Sequence, residues 1–241
     1  MLEGPDLLRA ALDAGAALEE VVVDDAADAE VLELGARASE LGAALRTVAH
    51  GALSRACDAR SSQGICATCP CPLAERDAAL SGPVVVLDSI ADPGNLGTAI
   101  RTAHATGCDG VVVCGAGVDV CSPKVLRATV GSIFFVRVAL GGELPDVLGA
   151  LRARGRRSVA AVPRGGRAPW DVALADAAIV VGSEAHGIDP DAAAACDELV
   201  TIPMARGAES LNAAVAASVL CVEAMRQRDA ERGGSQASPT I

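Results

Sequence analysis

The sequence is nearly without aromatic residues: it has no tyrosine, two phenylalanines and one tryptophan in 241 positions. A core must therefore be built from Val, Leu, Ile and Ala, and single-stranded RNA cannot be held mainly on aromatic stacking platforms. No apolar run approaches the roughly 18 residues that a membrane span needs, so no membrane association is expected. The opening Met1-Leu-Glu-Gly-Pro-Asp6 is acidic and lacks the basic-then-apolar layout of a secretion signal. Nine cysteines are an odd number without a framework spacing, which makes reduced thiols in a cytoplasmic setting the simplest expectation. Cys66, Cys69 and Cys71, with Cys57 nearby, lack the paired second half of a zinc site, and no metal is expected.

Positive charge is also scarce, with a net charge of −11. Taken alone this argues against a nucleic-acid partner, but the distribution is uneven. Residues 101–167 carry ten basic and four acidic side chains, while every other stretch is net acidic. Phosphate affinity follows local basic surface more than the total. For Arg152, Arg154, Arg156 and Arg157, a solvated helix end and a phosphate contact both remain open.

What the chain does have is apolar periodicity, with 51% hydrophobic residues. Two halves meet at the turn-forming Ser81-Gly82-Pro83. The first half reads as a small α/β domain: a helix over Asp6 to Ala14, a strand over Val21 to Val23, a helix over Ala27 to Leu41, an apolar stretch at Leu45 to Val48 and a strand at Ile65 to Thr68. In the second half, strand-like runs fall at Val84 to Leu87, Val111 to Cys114, Phe134 to Val138, Val159 to Val162, Ile179 to Val181 and Leu199 to Ile202. Helical patterns lie between them. Short, continuously apolar strands separated by helices imply a mostly parallel sheet covered on both faces. The expected units are 1–80, 81–228 and a disordered tail over 229–241.

A nucleotide on a glycine-rich turn is the obvious cofactor to test. Cys114-Gly-Ala-Gly117 follows a strand, but position 120, where a dinucleotide fingerprint needs its third glycine, is Val, and no Walker A sequence is present. Three polar clusters carry more information, each just after a strand, at the carboxyl edge where open α/β sheets bind ligands. In the first, Asp88 to Arg101, Pro93-Gly94 forces a turn, Asn95 is a candidate helix cap and Arg101 follows on the first helical turns. In the second, Val181 to Ile188, two glycines let backbone approach a ligand and Glu184 adds an acid. In the third, Ile202 to Asn212, Ser210 or Asn212 opens a long helix whose free amides suit a hydrogen-bonding ligand. A capping Asn and an ordinary surface Arg would explain the first cluster equally well.

In order and spacing, however, these clusters resemble the catalytic domain of the TrmH-type SPOUT RNA methyltransferases. The resemblance runs from about Val84 to Arg226. It is carried by Asp92-Pro-Gly-Asn-Leu-Gly-Thr-Ala-Ile-Arg101, Asp119 with Ser122-Pro-Lys-Val-Leu-Arg127, Gly131-Ser132, Gly182-Ser-Glu-Ala-His-Gly187, and Ile202-Pro-Met through Ser210-Leu-Asn212. Glu3-Gly4 and Ser61-Ser-Gln-Gly-Ile65 resemble landmarks of the ribosomal-protein-like domain that precedes it in many relatives and helps hold RNA. Those relatives carry a basic segment before the Glu-Gly pair that this chain does not show.

The resemblance implies a SPOUT fold whose C-terminal segment forms a trefoil knot, in a homodimer that methylates a ribose 2′-hydroxyl with S-adenosylmethionine. It implies a cofactor held by main-chain groups near Gly182, Ser183, Ile202, Met204 and Leu211. It also implies a catalytic group of Arg101, Asn95, Glu184, Ser210 and Asn212, with Arg101 acting across the subunit boundary. A guanidinium donates hydrogen bonds and accepts none, so stabilising a developing oxyanion suits Arg101 better than a plain base role. Ribosomal RNA is the favoured substrate because of the first domain, and transfer RNA is the alternative. A base-modifying relative and a non-catalytic RNA-binding protein with the same knot are the competing readings. His50 and His104 read as structural, His186 as a loop-shaping residue and Trp170 as a residue at a domain edge.

Overall fold

The computed structural model describes residues 1–57 and 63–233. In chain order the elements are β1 (Leu2–Glu3), α1 (Pro5–Asp13), β2 (Glu20–Asp24), α2 (Ala29–Glu40), β3 (Ala44–Val48), α3 (Leu53–Ala56), β4 (Ile65–Thr68) and α4 (Arg76–Ala79). They continue with β5 (Val84–Asp88), α5 (Pro93–Ala105), β6 (Gly110–Cys114), α6 (Pro123–Thr129), β7 (Arg137–Gly142), α7 (Leu144–Ala153), β8 (Ser158–Ala161), β9 (Ala178–Val181), α8 (Pro190–Ala195), β10 (Glu198–Val200) and α9 (Ala213–Glu231).

Two sheets result. The first is mixed, in the order β1-β4-β2-β3, and the second has six strands in the order β10-β8-β9-β5-β6-β7, all parallel. Strand residues alternate between faces, so Val85, Leu87, Val111, Val113, Ile179 and Val181 join the large core shared with α5, α6 and α9. Val84, Val86, Val112 and Val180 face a second core with α7 and α8. Continuous Val runs are what a strand buried on both faces requires.

The two sheets belong to one packed body, because the large core runs through α1, α2 and β2 as well. Glu3, its side chain 1% exposed, pairs with Arg127 of α6. Residues 73–80 pack with the second sheet: the Ala74 amide donates to the Val138 carbonyl, and Ala79 and Leu80 belong to the second core. Cys71 and Cys121 form a disulfide, with Cα atoms 6.1 Å apart. This corrects the expectation of nine reduced thiols. The linker passes within bridging distance of the loop before α6, a juxtaposition that spacing does not reveal. It also commits the Cys71 sulfur, which removes it from any zinc set. Burial pushes the Cys66 and Cys114 thiols up to about 12, the values of inert core cysteines.

Three local expectations shift. The strand expected at Phe134 to Val138 begins only at Arg137, because Ser132–Phe134 is a tight helical turn that buries Ile133 and leaves Phe135 outside. Asp92, not Asn95, caps α5, its carboxylate accepting from the Asn95 amide at 2.8 Å. The last helix continues through Glu231, so the disordered tail expected over 229–241 is helical at its start; residues 234–241 lie outside the described residues.

Candidate active site

Strands β5, β6 and β7 build outward in one direction, after which the chain crosses to β8 and inserts β9 between β8 and β5. Such a reversal leaves a crevice at the carboxyl ends of the strands. A cleft of about 480 Å³ opens there. Its walls come from the ends of β8 and β9, the 182–188 loop, and the segment from Val200 to Ala216 that leads into α9.

Gly182, Ser183, Ile202, Met204 and Leu211, expected to hold a cofactor, all line this cleft, as do Glu184 and Ser210. The reason for glycine at 182 is close approach: a Cβ there would collide with the Gly187 carbonyl and the Ile188 amide. The loop is closed by paired hydrogen bonds, Gly187 amide to Ser183 carbonyl at 2.9 Å and Ser183 amide to Gly187 carbonyl at 3.2 Å. His186 adds an amide bond to the Ser183 hydroxyl, so its backbone shapes the loop. Among the described residues, the amides of Glu184, Ile188, Ile202, Met204 and Leu211 donate no hydrogen bond within the chain. Unused N–H groups beside Val, Ile, Leu and Ala side chains suit a ligand with an apolar body and several acceptors.

Beside the cleft, three side chains form a chain of hydrogen bonds. Asn212 caps α9 through Oδ1, accepting from the Ala214 and Val215 amides at 2.9 and 3.2 Å. Its Nδ2 donates to Asn95 Oδ1 at 2.9 Å, and Asn95 Nδ2 donates to Glu184 Oε1 at 2.5 Å. This arrangement is possible because Asp92 does the capping at α5, leaving Asn95 free to bridge two loops. It fixes the Asn95 amide orientation and turns one Glu184 oxygen toward a donor.

Arg101 is placed differently. It lies on the exposed face of α5, outside the cleft of its own chain, and has no ion-pair or hydrogen-bond partner among the described residues. Helix α5 is locked to α9 next to it, with the Thr102 and Ser218 hydroxyls 2.9 Å apart. Pro163 and Glu209 also line the cleft and were not expected to; the signal for Pro163 was its position directly after a strand end. Asp88, at the end of β5, has its carboxyl pushed up by burial, against a hydrogen bond from Ser89. The Cys114-Gly-Ala-Gly117 turn serves packing: Gly115 has φ +66° against Ser89, and Gly117 lies on the Ile90 carbonyl.

A switch-point cleft on an open parallel sheet, lined by free amides and flanked by a fixed polar triad, defines an α/β enzyme that binds an extended organic cofactor. Comparison with known proteins makes the assignment specific. Residues 82–222 match the SpoU rRNA Methylase family. The chain is 32% identical to the Bacillus subtilis protein named 23S rRNA (guanosine(2553)-2′-O)-methyltransferase RlmP, over 91% of this chain and 86% of that one. It is 38% identical to a Synechocystis protein named an uncharacterized tRNA/rRNA methyltransferase, over 60% of this chain and 53% of that one, so it spans about half of that relative's length. The crystal structure titled AdoMet bound rRNA methyltransferase from Sinorhizobium meliloti superposes with a TM-score of 0.82 at 29% identity, covering 93% of this chain and 85% of that one. The chain belongs to the SpoU rRNA methylase family.

Proposed function

We propose that the protein methylates a ribose 2′-hydroxyl of ribosomal RNA, using S-adenosylmethionine bound in the cleft between β8, β9 and the 201–212 segment. The observation that carries the reading is the set of free amides around Gly182, Ile202 and Leu211 next to the Glu184–Asn95–Asn212 chain. The cofactor, where bound, supplies a methyl group already made electrophilic by its sulfonium. The protein's task is alignment, exclusion of water and care of one proton. Free main-chain donors suit the adenine and ribose edges, and the apolar walls suit the rest. Ser210, Glu184, Asn95 and Asn212 orient the reacting ribose.

Arg101 stabilises negative charge developing on the 2′-oxygen, from the second subunit of a homodimer. Two features support this assembly. Arg101 has no ion-pair or hydrogen-bond partner among the described residues, and α9 presents Val215, Val219 and Val222 at 47%, 40% and 50% exposure, with Leu211 just before the helix. An apolar stripe of this kind on a helix beside the unpaired cation is what a second copy would cover. The 201–212 segment, running from the edge strand β10 back to a helix packed on α5 and β9, is the segment that would thread the knot. The first sheet is the ribosomal-protein-like unit that helps hold RNA, and the setting is cytoplasmic.

Purified protein, S-adenosylmethionine and deproteinised bacterial ribosomal RNA provide the test, with nucleosides analysed by mass spectrometry after digestion. A 2′-O-methylated nucleoside is expected. A methylated base, or no incorporation into either ribosomal or transfer RNA, overturns the reading.

A further inference from the structure

The basic side chains of the second half divide into two populations. Most are already engaged: Arg152 and Arg156 donate to the carbonyls of Ala195 and Gly82, as Arg76, just before this half, does to that of Gly141. Arg154 pairs with Asp77, while Arg157 and Arg167 share Glu198. Arg228 is buried and donates to two carbonyls, and Arg226 pairs with Glu223. The stretch 152–157, the densest basic run in the chain, is therefore structural.

The cations without a partner among the described residues are Arg101, Lys124, Arg137, Arg164, Arg206 and Arg232. Arg137 opens β7 at the opposite edge of the sheet, and Arg232 ends α9. The other four are exposed, and Lys124, Arg164 and Arg206 follow the carboxyl ends of β6, β8 and β10, the sheet edge where the cleft opens. Arg206 is in the loop after β10, flanked by Met204 and Glu209 of the cleft wall. Arg164 follows the end of β8, next to Pro163 of the same wall. The two loops are tied at their base, the Val162 amide to the Val200 carbonyl at 2.9 Å and the Thr201 hydroxyl to the Val162 carbonyl at 3.0 Å. Lys124 stands on the first turn of α6, after β6, on the other side of the cleft. With strands about 4.8 Å apart, the line from β10 to β6 is roughly 19 Å long. The cleft lies along it.

Resting on the reading of the protein as an RNA methyltransferase, we propose that Arg206, Arg164 and Lys124 form a phosphate track that lays one RNA strand across the cleft, two cations upstream of it and one beyond. The arrangement explains how a chain of net charge −11 takes a polyanion. Most other cations of this half are held by ion pairs or carbonyls, whereas these three stand exposed beside the cleft with no partner among the described residues. The acids near the track are mostly occupied: Asp92, Asp119 and Asp189 accept backbone amides, and Glu184 is bonded to Asn95. Glu209, in the cleft wall, has no such partner among the described residues.

The test uses the intact protein and a transcript of large-subunit ribosomal RNA, with binding followed by fluorescence anisotropy at several salt concentrations. Arg164→Ala, Arg206→Ala and Lys124→Ala are each expected to weaken RNA binding on the order of tenfold and to lower the salt slope by about one. Arg154→Ala, at the opposite edge, should change neither. S-adenosylmethionine affinity, read by calorimetry, should stay at the wild-type value in all four. The track is overturned if the slopes do not move, if the control weakens binding equally, or if the three variants instead lose cofactor affinity, which would place their charges on the cofactor carboxylate. It is equally overturned if the intact protein does not bind the transcript. Absence of methyl transfer with an intact, mutation-sensitive salt slope would reject the enzymatic reading and leave the track standing.

Discussion

At Gly182 a missing side chain shapes the cleft, because the 182–188 loop folds back against that α-carbon. Gly182→Ala must push the Gly187–Ile188 peptide outward. Its expected effect is a loss of S-adenosylmethionine affinity of at least tenfold, measured by calorimetry, with destabilisation of about 1–3 kcal/mol from the displaced packing. Arg101 gives the complementary case. It makes no ion pair or side-chain hydrogen bond among the described residues and lines no wall of its own cleft, so Arg101→Ala should leave folding and cofactor affinity intact while reducing methyl transfer by about 100-fold or more. Near-normal turnover in that variant would remove Arg101 from the mechanism. Asn95 shows how a residue can be found for an incomplete reason. Its position after Pro-Gly suggested a cap, yet Asp92 takes the cap, and the Asn95 amide spends its hydrogen bonds on Glu184 and Asn212.

Helix α6 ends with Val130 at φ 50° and ψ 40°, a left-handed conformation that crowds a β-branched side chain. That side chain is 51% exposed and contributes little burial. Val130→Gly should therefore stabilise the protein by about 1 kcal/mol, read as a rise in the thermal midpoint; an unchanged or lower midpoint would show that the Val side chain makes an energetically important contact. The elements most legible in the sequence were β5, β6 and β9, because a strand buried on both faces must be apolar at every position. Strand β7 was displaced because Phe134 and Phe135 extend the apolar run into a helical turn. Strand β1 has two residues and no periodicity to read. The cleft residues were legible as glycine-bracketed loops after strands. Their convergence was not, since it depends on β9 inserting between β8 and β5, and neither the Cys71–Cys121 bridge nor the Glu3–Arg127 pair leaves a trace in local spacing.

For the molecule as a whole, two carboxylates tie distant chain segments and set an acid limit. Donation from the Ala26 and Gly51 amides, with His50 adding a smaller part, holds Asp24 below the usual carboxylate range. The Ser158 amide does the same for Asp197, linking β8 to the start of β10. Both folded-state values are depressed, so their stabilisation is complete above the unfolded value of about 3.9 and is lost as pH falls through the folded values. Asp88, raised by burial, acts with the opposite sign: its contribution favours the fold at low pH and fades as pH rises through its folded value. The thermal midpoint should drop below about pH 4, and Asp197→Asn should flatten that limb; a midpoint insensitive to acid would contradict the assignment. The cleft at the carboxyl edge of the second sheet is the proposed seat of the methyl donor. A crystal structure with S-adenosylhomocysteine tests this most directly. The expected result is density between the 182–188 loop and residues 202–211, contacting main-chain groups of Gly182, Ile202 and Leu211, with Arg101 of a second copy facing the sulfur. Density bound elsewhere, or Arg101 directed away from that sulfur in every copy, would contradict it.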